Sequence, residues 1–188
     1  MKTIILMGVP GCGKTSVMEL AVKKLKEKYS VVTFGTLMFE ILMKQKKVKT
    51  RDEMRKLSDK VQSDIQKQTA QKIAEMAKKE NVIVDTHCSI KTPKGYLIGM
   101  PENILKKIAP SQIILVESSA KEIYERRMKD DTRARDDDSV EKIDFQQEIN
   151  RILALSFCTL TGAVFTIVKN KTGHLLNSSK ELAEVIVM

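Results

Sequence analysis

The chain has 188 residues, 42% of them hydrophobic, with 33 Lys and Arg against 24 Asp and Glu for a formal net charge of +9. That balance excludes a disordered chain, and no apolar run approaches the roughly 20 residues of a membrane span. The surplus is uneven, because residues 1–80 hold 18 basic and 9 acidic side chains while residues 81–188 hold 15 of each, so an anionic partner is expected beside the first part of the chain.

Residues 3–7 are an apolar run ending at Gly8, which suits a buried parallel strand. The opening resembles the start of a signal peptide, yet Gly11, Cys12, Gly13 and Lys14 interrupt it before any cleavage-type site. The period then changes, and Val17, Met18, Ala21, Val22 and Leu25 fall on one helical face. Residues 30–34 read as a second strand and residues 37–43 as an apolar helix. Residues 52–79 read as one long amphipathic helix, with Met54, Leu57, Val61, Ile65, Ile73 and Met76 on its stripe. Residues 82–84, 113–116 and 163–168 supply three more strands, and residues 102–108, 120–130, 140–160 and 179–187 the helices between and after them. Residues 88–101, with Pro93, Gly95, Gly99 and Pro101, and the charged stretch 129–138 read as surface loops. Strand alternating with helix predicts a single α/β domain, a parallel sheet with helices on both faces. Cys12, Cys88 and Cys158 are too far apart for a disulfide framework or a zinc spacing, so a reducing cytoplasm is expected.

Gly8-Val9-Pro10-Gly11-Cys12-Gly13-Lys14-Thr15 fits G-x-x-x-x-G-K-[ST] at every fixed position, after a predicted strand and opening a predicted helix. A triphosphate needs many donors at close range. Glycines let successive N–H groups turn inward, and the helix N-terminus adds its dipole. Lys14 is placed to bind the β- and γ-phosphates, and the Thr15 hydroxyl to ligate Mg²⁺. A second candidate group for the metal is Asp85 in Val82-Ile83-Val84-Asp85, an apolar strand ending in a carboxylate, which in phosphate-loop enzymes serves Mg²⁺ directly or through water. His87 reads as an ordinary polar loop residue. Arg126, Arg127, Arg133, Arg135 and Arg151 cluster around the charged stretch, and guanidinium groups converging on a moving phosphoryl group would stabilise its charge. Asp136, Asp137 and Asp138 make that stretch locally neutral, which argues against a duplex-binding patch, and with 3 Tyr, 5 Phe and no Trp base-stacking platforms are scarce, so nucleic acid is not expected as a partner. Asn170-Lys171-Thr172-Gly173 begins like the N-K-x-D guanine reader, but glycine stands in place of the acid.

These residues, together with F-G-T-L-M-F-E at 34–40, R-D-E-M-R-K-L at 51–57, V-D-T-H-C-S-I-K-T-P-K-G-Y-L-I-G-M-P at 84–101, R-A-R-D at 133–136 and L-T-G-A-V-F-T-I-V-K-N-K at 160–171, resemble the archaeal-type adenylate kinases along essentially the whole chain. The resemblance implies a three-layer phosphate-loop fold with a five-stranded parallel sheet, and the reaction ATP + AMP ⇌ 2 ADP with Mg²⁺. It implies a core of residues 1–34, 80–125 and 139–188, a helical monophosphate-binding region at about 35–79 and a short lid at about 126–138. Carried over by position, loop residues Gly8 to Ser16 would hold ATP, and Thr36 and Arg55 would contact AMP, Arg55 on its phosphate. Lys14, Arg127, Arg133, Arg135 and Arg151 would be catalytic, Thr15 and Asp85 would serve Mg²⁺ (Asp85 through water), and residues 169–171 would lie near the ATP adenine. The short lid has no cysteines, so no structural zinc is expected, and Ile98 stands where the family carries a proline. The family also implies a homotrimer, for which the apolar part of helix 140–160 (Ile152, Leu153, Leu155, Phe157, Leu160) is compatible. The alternatives from the residues are a kinase for another nucleoside monophosphate, which shares the same phosphate chemistry, and an ATPase associated with RNA or the ribosome.

Overall fold

The computed structural model describes residues 1–92, 94–129 and 139–188. Five strands form the central sheet: β1 (Thr3–Met7), β2 (Tyr29–Thr33), β3 (Asn81–Asp85), β6 (Gln112–Glu117) and β7 (Val164–Lys169). Their order is β2-β3-β1-β6-β7 and every pairing is parallel. From β1 the chain crosses to the edge strand β2, returns to β3 between the two, and then passes to the other side of β1 through β6 and out to β7. The carboxyl end of β1 is therefore the switch point, where such sheets bind ligands.

The two faces of the sheet separate by the strand period of two. Ile4 and Leu6 of β1 face a core shared with α1 (Lys14–Val22), α6 (Ala120–Met128) and α8 (Leu175–Val187) through Val17, Ile123 and Leu182. Ile5 and Met7 face the opposite core, shared with α2 (Phe34–Lys44), α4 (Asp59–Ala77) and α5 (Glu102–Ile108) through Leu37, Ile73 and Ile104. Sheet and two helical layers make the three-layer α/β arrangement that the alternation predicts. Helix α7 (Val140–Thr161) reaches both cores, the first through Ile143 and the second through Ala154 and Phe157, which carries its middle past the end of the sheet. A third, small core of Leu42, Val48 and Ile65, with Met54, Leu57 and Val61 against it, holds the helices between β2 and β3 to one another.

The last helix, expected over 179–187, begins four residues earlier at Leu175, and three other places differ more. The helix expected over 52–79 is two helices, α3 (Arg51–Arg55) and α4. Ser58 takes the extended conformation of an N-cap (φ −61°, ψ 152°), and the Gln62 side chain donates to the carbonyl of Leu57 at 2.9 Å, so the break carries its own hydrogen bonding. The loop expected over 88–101 contains an antiparallel hairpin, β4 (Ser89–Thr92) with β5 (Gly95–Ile98), in the register Ser89 to Ile98 and Thr92 to Gly95. The Thr92 hydroxyl closes it on the carbonyl of Gly95 at 2.9 Å. Phe34, expected to end a strand, is instead the first residue of α2 and is buried with its apolar face.

Candidate active site

The phosphate loop leaves β1 at Gly8 and enters α1 at Lys14. Gly11 and Gly13 have φ of 87° and 84°, a left-handed backbone that a side chain disfavours. Contact constrains Gly8 and adds a second reason at Gly13. A Cβ on Gly8 would stand 2.6 Å from the carbonyl oxygen of Val116 on β6, and one on Gly13 would stand 2.2 Å from Asn170 Nδ2. Cys12 is fully buried under the loop and burial pushes its thiol up, so this free position serves packing.

Lys14 forms an ion pair with Asp85 at the end of β3, the adjacent strand. Burial lowers the Lys14 ammonium to about 8. Asp85 is only 8% exposed and also faces the Thr33 hydroxyl at 3.4 Å. The sequence reading of a phosphate-binding lysine and a strand-end acid thus places the two in direct contact, while Thr15 and Ser16 lie exposed at the head of α1.

Helix α6 brings two arginines onto the same loop. Arg127, buried, donates from Nε to the carbonyl of Pro10 at 2.8 Å. Arg126 donates to the carbonyls of Cys12 (3.2 Å) and Asn170 (3.0 Å) and to the Thr172 hydroxyl (2.9 Å). Asn170 in turn donates from Nδ2 to the carbonyl of Cys12 at 2.8 Å. The segment that begins like a guanine reader is therefore a brace under the phosphate loop. The start of α6 is fixed by a capping box, Ser119 with Glu122, and Glu122 Oε1 also accepts from the Thr172 N–H at 2.6 Å. The S-x-x-E spacing was the available sequence signal for this anchor.

Arg151 on α7 donates from Nε and Nη2 to the two oxygens of Glu117, at 2.8 and 3.0 Å, and Lys169 Nζ lies 2.5 Å from Glu117 Oε2. Burial alone would raise the Glu117 carboxyl, but these donors hold it below the usual carboxylate value. Sequence reading missed Glu117, although Leu115-Val116-Glu117 repeats the signal at Asp85, an apolar strand ending in an acid. The two acids end the two strands that flank β1.

In the helices between β2 and β3, Thr36 accepts from Arg51 Nη2 at 2.8 Å, and the Arg51 guanidinium lies 5.5 Å from the centre of the Phe39 ring. Arg55, the residue expected on the AMP phosphate, is exposed and pairs with Asp52 at 2.7 Å. Thr36 is thus brought together with Arg51, which the sequence reading did not single out. Arg133 and Arg135 lie outside the described residues.

A phosphate loop at the switch point of a parallel sheet, with a buried strand-end acid and two arginines from α6, defines a phosphate-loop nucleotide-binding protein. Residues 7–144 match the family model described as AAA domain. Adenylate kinase of Methanocaldococcus jannaschii is 46% identical over 188 residues, 98% of each chain, and that of Methanococcus aeolicus is 45% identical over 188 residues, 98% of this chain and 97% of that one. Among solved structures, shikimate kinase from Acinetobacter baumannii superposes with a TM-score of 0.59 at 16% identity, over all of this chain and 93% of the other, which is a likeness of fold. The chain belongs to the adenylate kinase family, a family of phosphotransferases.

Proposed function

We propose that the chain catalyses reversible phosphoryl transfer between ATP and AMP to give two ADP. The observation that carries this reading is the convergence of Lys14, Arg126 and Arg127 on one glycine-rich loop in a chain nearly half identical to adenylate kinases along its whole length. Loop residues Gly8 to Ser16 hold the triphosphate. On binding it, Lys14 exchanges Asp85 for phosphate oxygens, a move its depressed basicity and the adjacent carboxylate make local. The phosphate of AMP is the nucleophile and is already ionised, so no general base is needed. Catalysis then consists of placing the two phosphates in line and offsetting the charge of the transferring group, the task of Lys14, Arg127, Arg151 and, from the short lid at about 126–138, Arg133 and Arg135.

Region 35–79 receives AMP, with Thr36 and Arg55 on it. The exposed Arg55–Asp52 pair is of the kind worth little in water, so Arg55 can leave Asp52 for a phosphate at small cost. The Thr15 hydroxyl and the Asp85 carboxylate are hard oxygen donors at the mouth of the loop, a set that fits Mg²⁺, with Thr15 binding it directly and Asp85 through water. Bound there, Mg²⁺ would supply charge neutralisation on the β- and γ-phosphates. Three free cysteines support a cytoplasmic setting, and no described helix is long and apolar enough to cross a membrane. The exposed Ile152 and Leu155 of α7 and Val164 of edge strand β7 support assembly of copies, as a trimer by analogy with the archaeal family.

The deciding experiment measures ADP formation from ATP with AMP, CMP, UMP and GMP in turn. AMP is expected to be the preferred acceptor, and Lys14→Ala to lose at least about 100-fold in rate with an unchanged circular dichroism spectrum. Preference for another monophosphate overturns the assignment of AMP, and normal turnover by Lys14→Ala overturns the mechanism.

A further inference from the structure

Glu117 is a 2%-exposed carboxylate at the carboxyl end of β6, one residue beyond the Val116 carbonyl that Gly8 approaches. Both its oxygens are engaged by cations from two other elements, Arg151 of α7 and Lys169 of β7, its register partner. Glu117 thus faces two cations at hydrogen-bond distance, with Asp144 and Glu148 acting on Arg151 as further acids of α7. A guanidinium has five N–H donors, of which Arg151 places two on Glu117. The other three, on a side chain that is 37% exposed, remain for a phosphate oxygen.

The two strand-end acids differ in what they hold. Asp85 faces a lysine that must move onto the nucleotide. Glu117 holds its arginine through Nε and Nη2, which leaves both Nη1 N–H groups able to serve a phosphate without breaking the pair. A carboxylate forked onto a guanidinium fixes the plane of that group as well as its position. Such backing removes the reorganisation that a long, free side chain would undergo at the moment of transfer.

We propose that Glu117 is a positioning residue for the phosphoryl transfer, holding Arg151 in the plane and at the site where its free N–H groups meet the transferring group. The inference rests on the reading of Arg151 as catalytic. It predicts a loss in turnover without a loss in substrate binding, because the arginine acts on charge that develops during transfer.

The test compares E117Q, E117D, R151K and the double variant E117Q/R151K with the wild-type chain in the ADP-forming assay. E117Q keeps the size of the side chain but turns an amide N–H₂ toward two cations. It is expected to lower kcat by about 30- to 100-fold, the scale of a misplaced catalytic group, with KM for ATP and AMP changed by less than about threefold. The loss in the double variant is expected to stay within about threefold of the larger single loss, since both changes disable one device. E117D retains the charge on a shorter stem and covers the case in which E117Q does not fold. It is expected to lower kcat at unchanged KM, and to shift the Arg151 Nε–H resonance and speed its exchange with solvent in NMR spectra of the full chain. Wild-type kcat in E117Q, or in E117D if E117Q is unfolded, overturns the proposal, as do losses that multiply in the double variant. An R151K chain at wild-type rate instead removes the role of Arg151 itself, whereas slow R151K beside fast E117Q removes Glu117 alone.

Discussion

Gly13 shows how one residue is fixed by two independent constraints. Its backbone is left-handed, and the space where a Cβ would stand is filled by the amide of Asn170, itself bonded to the carbonyl of Cys12. Gly13→Ala is expected to cost about 1–2 kcal/mol from the left-handed backbone alone. Displacing Asn170 adds about 1 kcal/mol for the lost hydrogen bond. A lower urea midpoint together with weakened ATP binding is the expected result, and an unchanged midpoint would show that the loop tolerates a side chain there. The same scale explains why the phosphate loop was readable in advance. Its glycines and Lys14 are demanded by close backbone approach to phosphate, whatever fold surrounds them. Asn170 was not readable in that way, because its partner is 158 positions away in the chain.

At the level of elements, α6 matters because its first turn decides where Arg126 and Arg127 point. Glu122 closes the capping box and ties the helix to Thr172. The Thr172 N–H first, then the hydroxyls and N–H of Ser119 and Ser118, hold the Glu122 carboxyl far below the ordinary 4.5. A group whose folded value is depressed contributes stability that is present above its unfolded value and is lost as pH falls toward the folded one. This contribution is therefore full at pH 7 and declines progressively below about 4.5. Glu122→Gln is expected to lower stability at pH 7 and to narrow its deficit against wild type at pH 3, as read by urea unfolding at both pH values. An equal deficit at the two would show that the charge of Glu122 plays no part. Elements also mark where periodicity misled. Met54, Leu57, Val61 and Ile65 continue one helical stripe, yet the chain breaks between Arg55 and Asp59, since both helices turn their apolar sides to the same small core. The hairpin β4–β5 was hidden by its glycines and proline, which a loop and a tight turn share.

Over the whole molecule, exposed apolar side chains gather on α7 and the edge strand β7, where Ile152 is 65% and Val164 62% exposed. Replacing Ile152 and Leu155 together by Asp is expected to bring the sedimentation mass to that of a single chain with the far-ultraviolet spectrum unchanged. A wild-type protein that already sediments as one chain would end the proposal of assembly. The charge surplus of residues 1–80 falls on the phosphate loop and on the helices proposed to receive AMP, while the arginines held against the loop and the strand ends come from the balanced part of the chain. The sequence by itself determined the five-strand alternation, the phosphate loop and Asp85, because period, glycine spacing and a strand-end acid are local signals. It also carried the family, through motifs spread along the chain. Only the tertiary structure decided that Asn170 braces the loop, that Thr36 meets Arg51, and that Arg151 and Lys169 share Glu117. Those contacts join side chains from different elements, and which acid faces which base depends on the order and register of the strands, which no local pattern encodes.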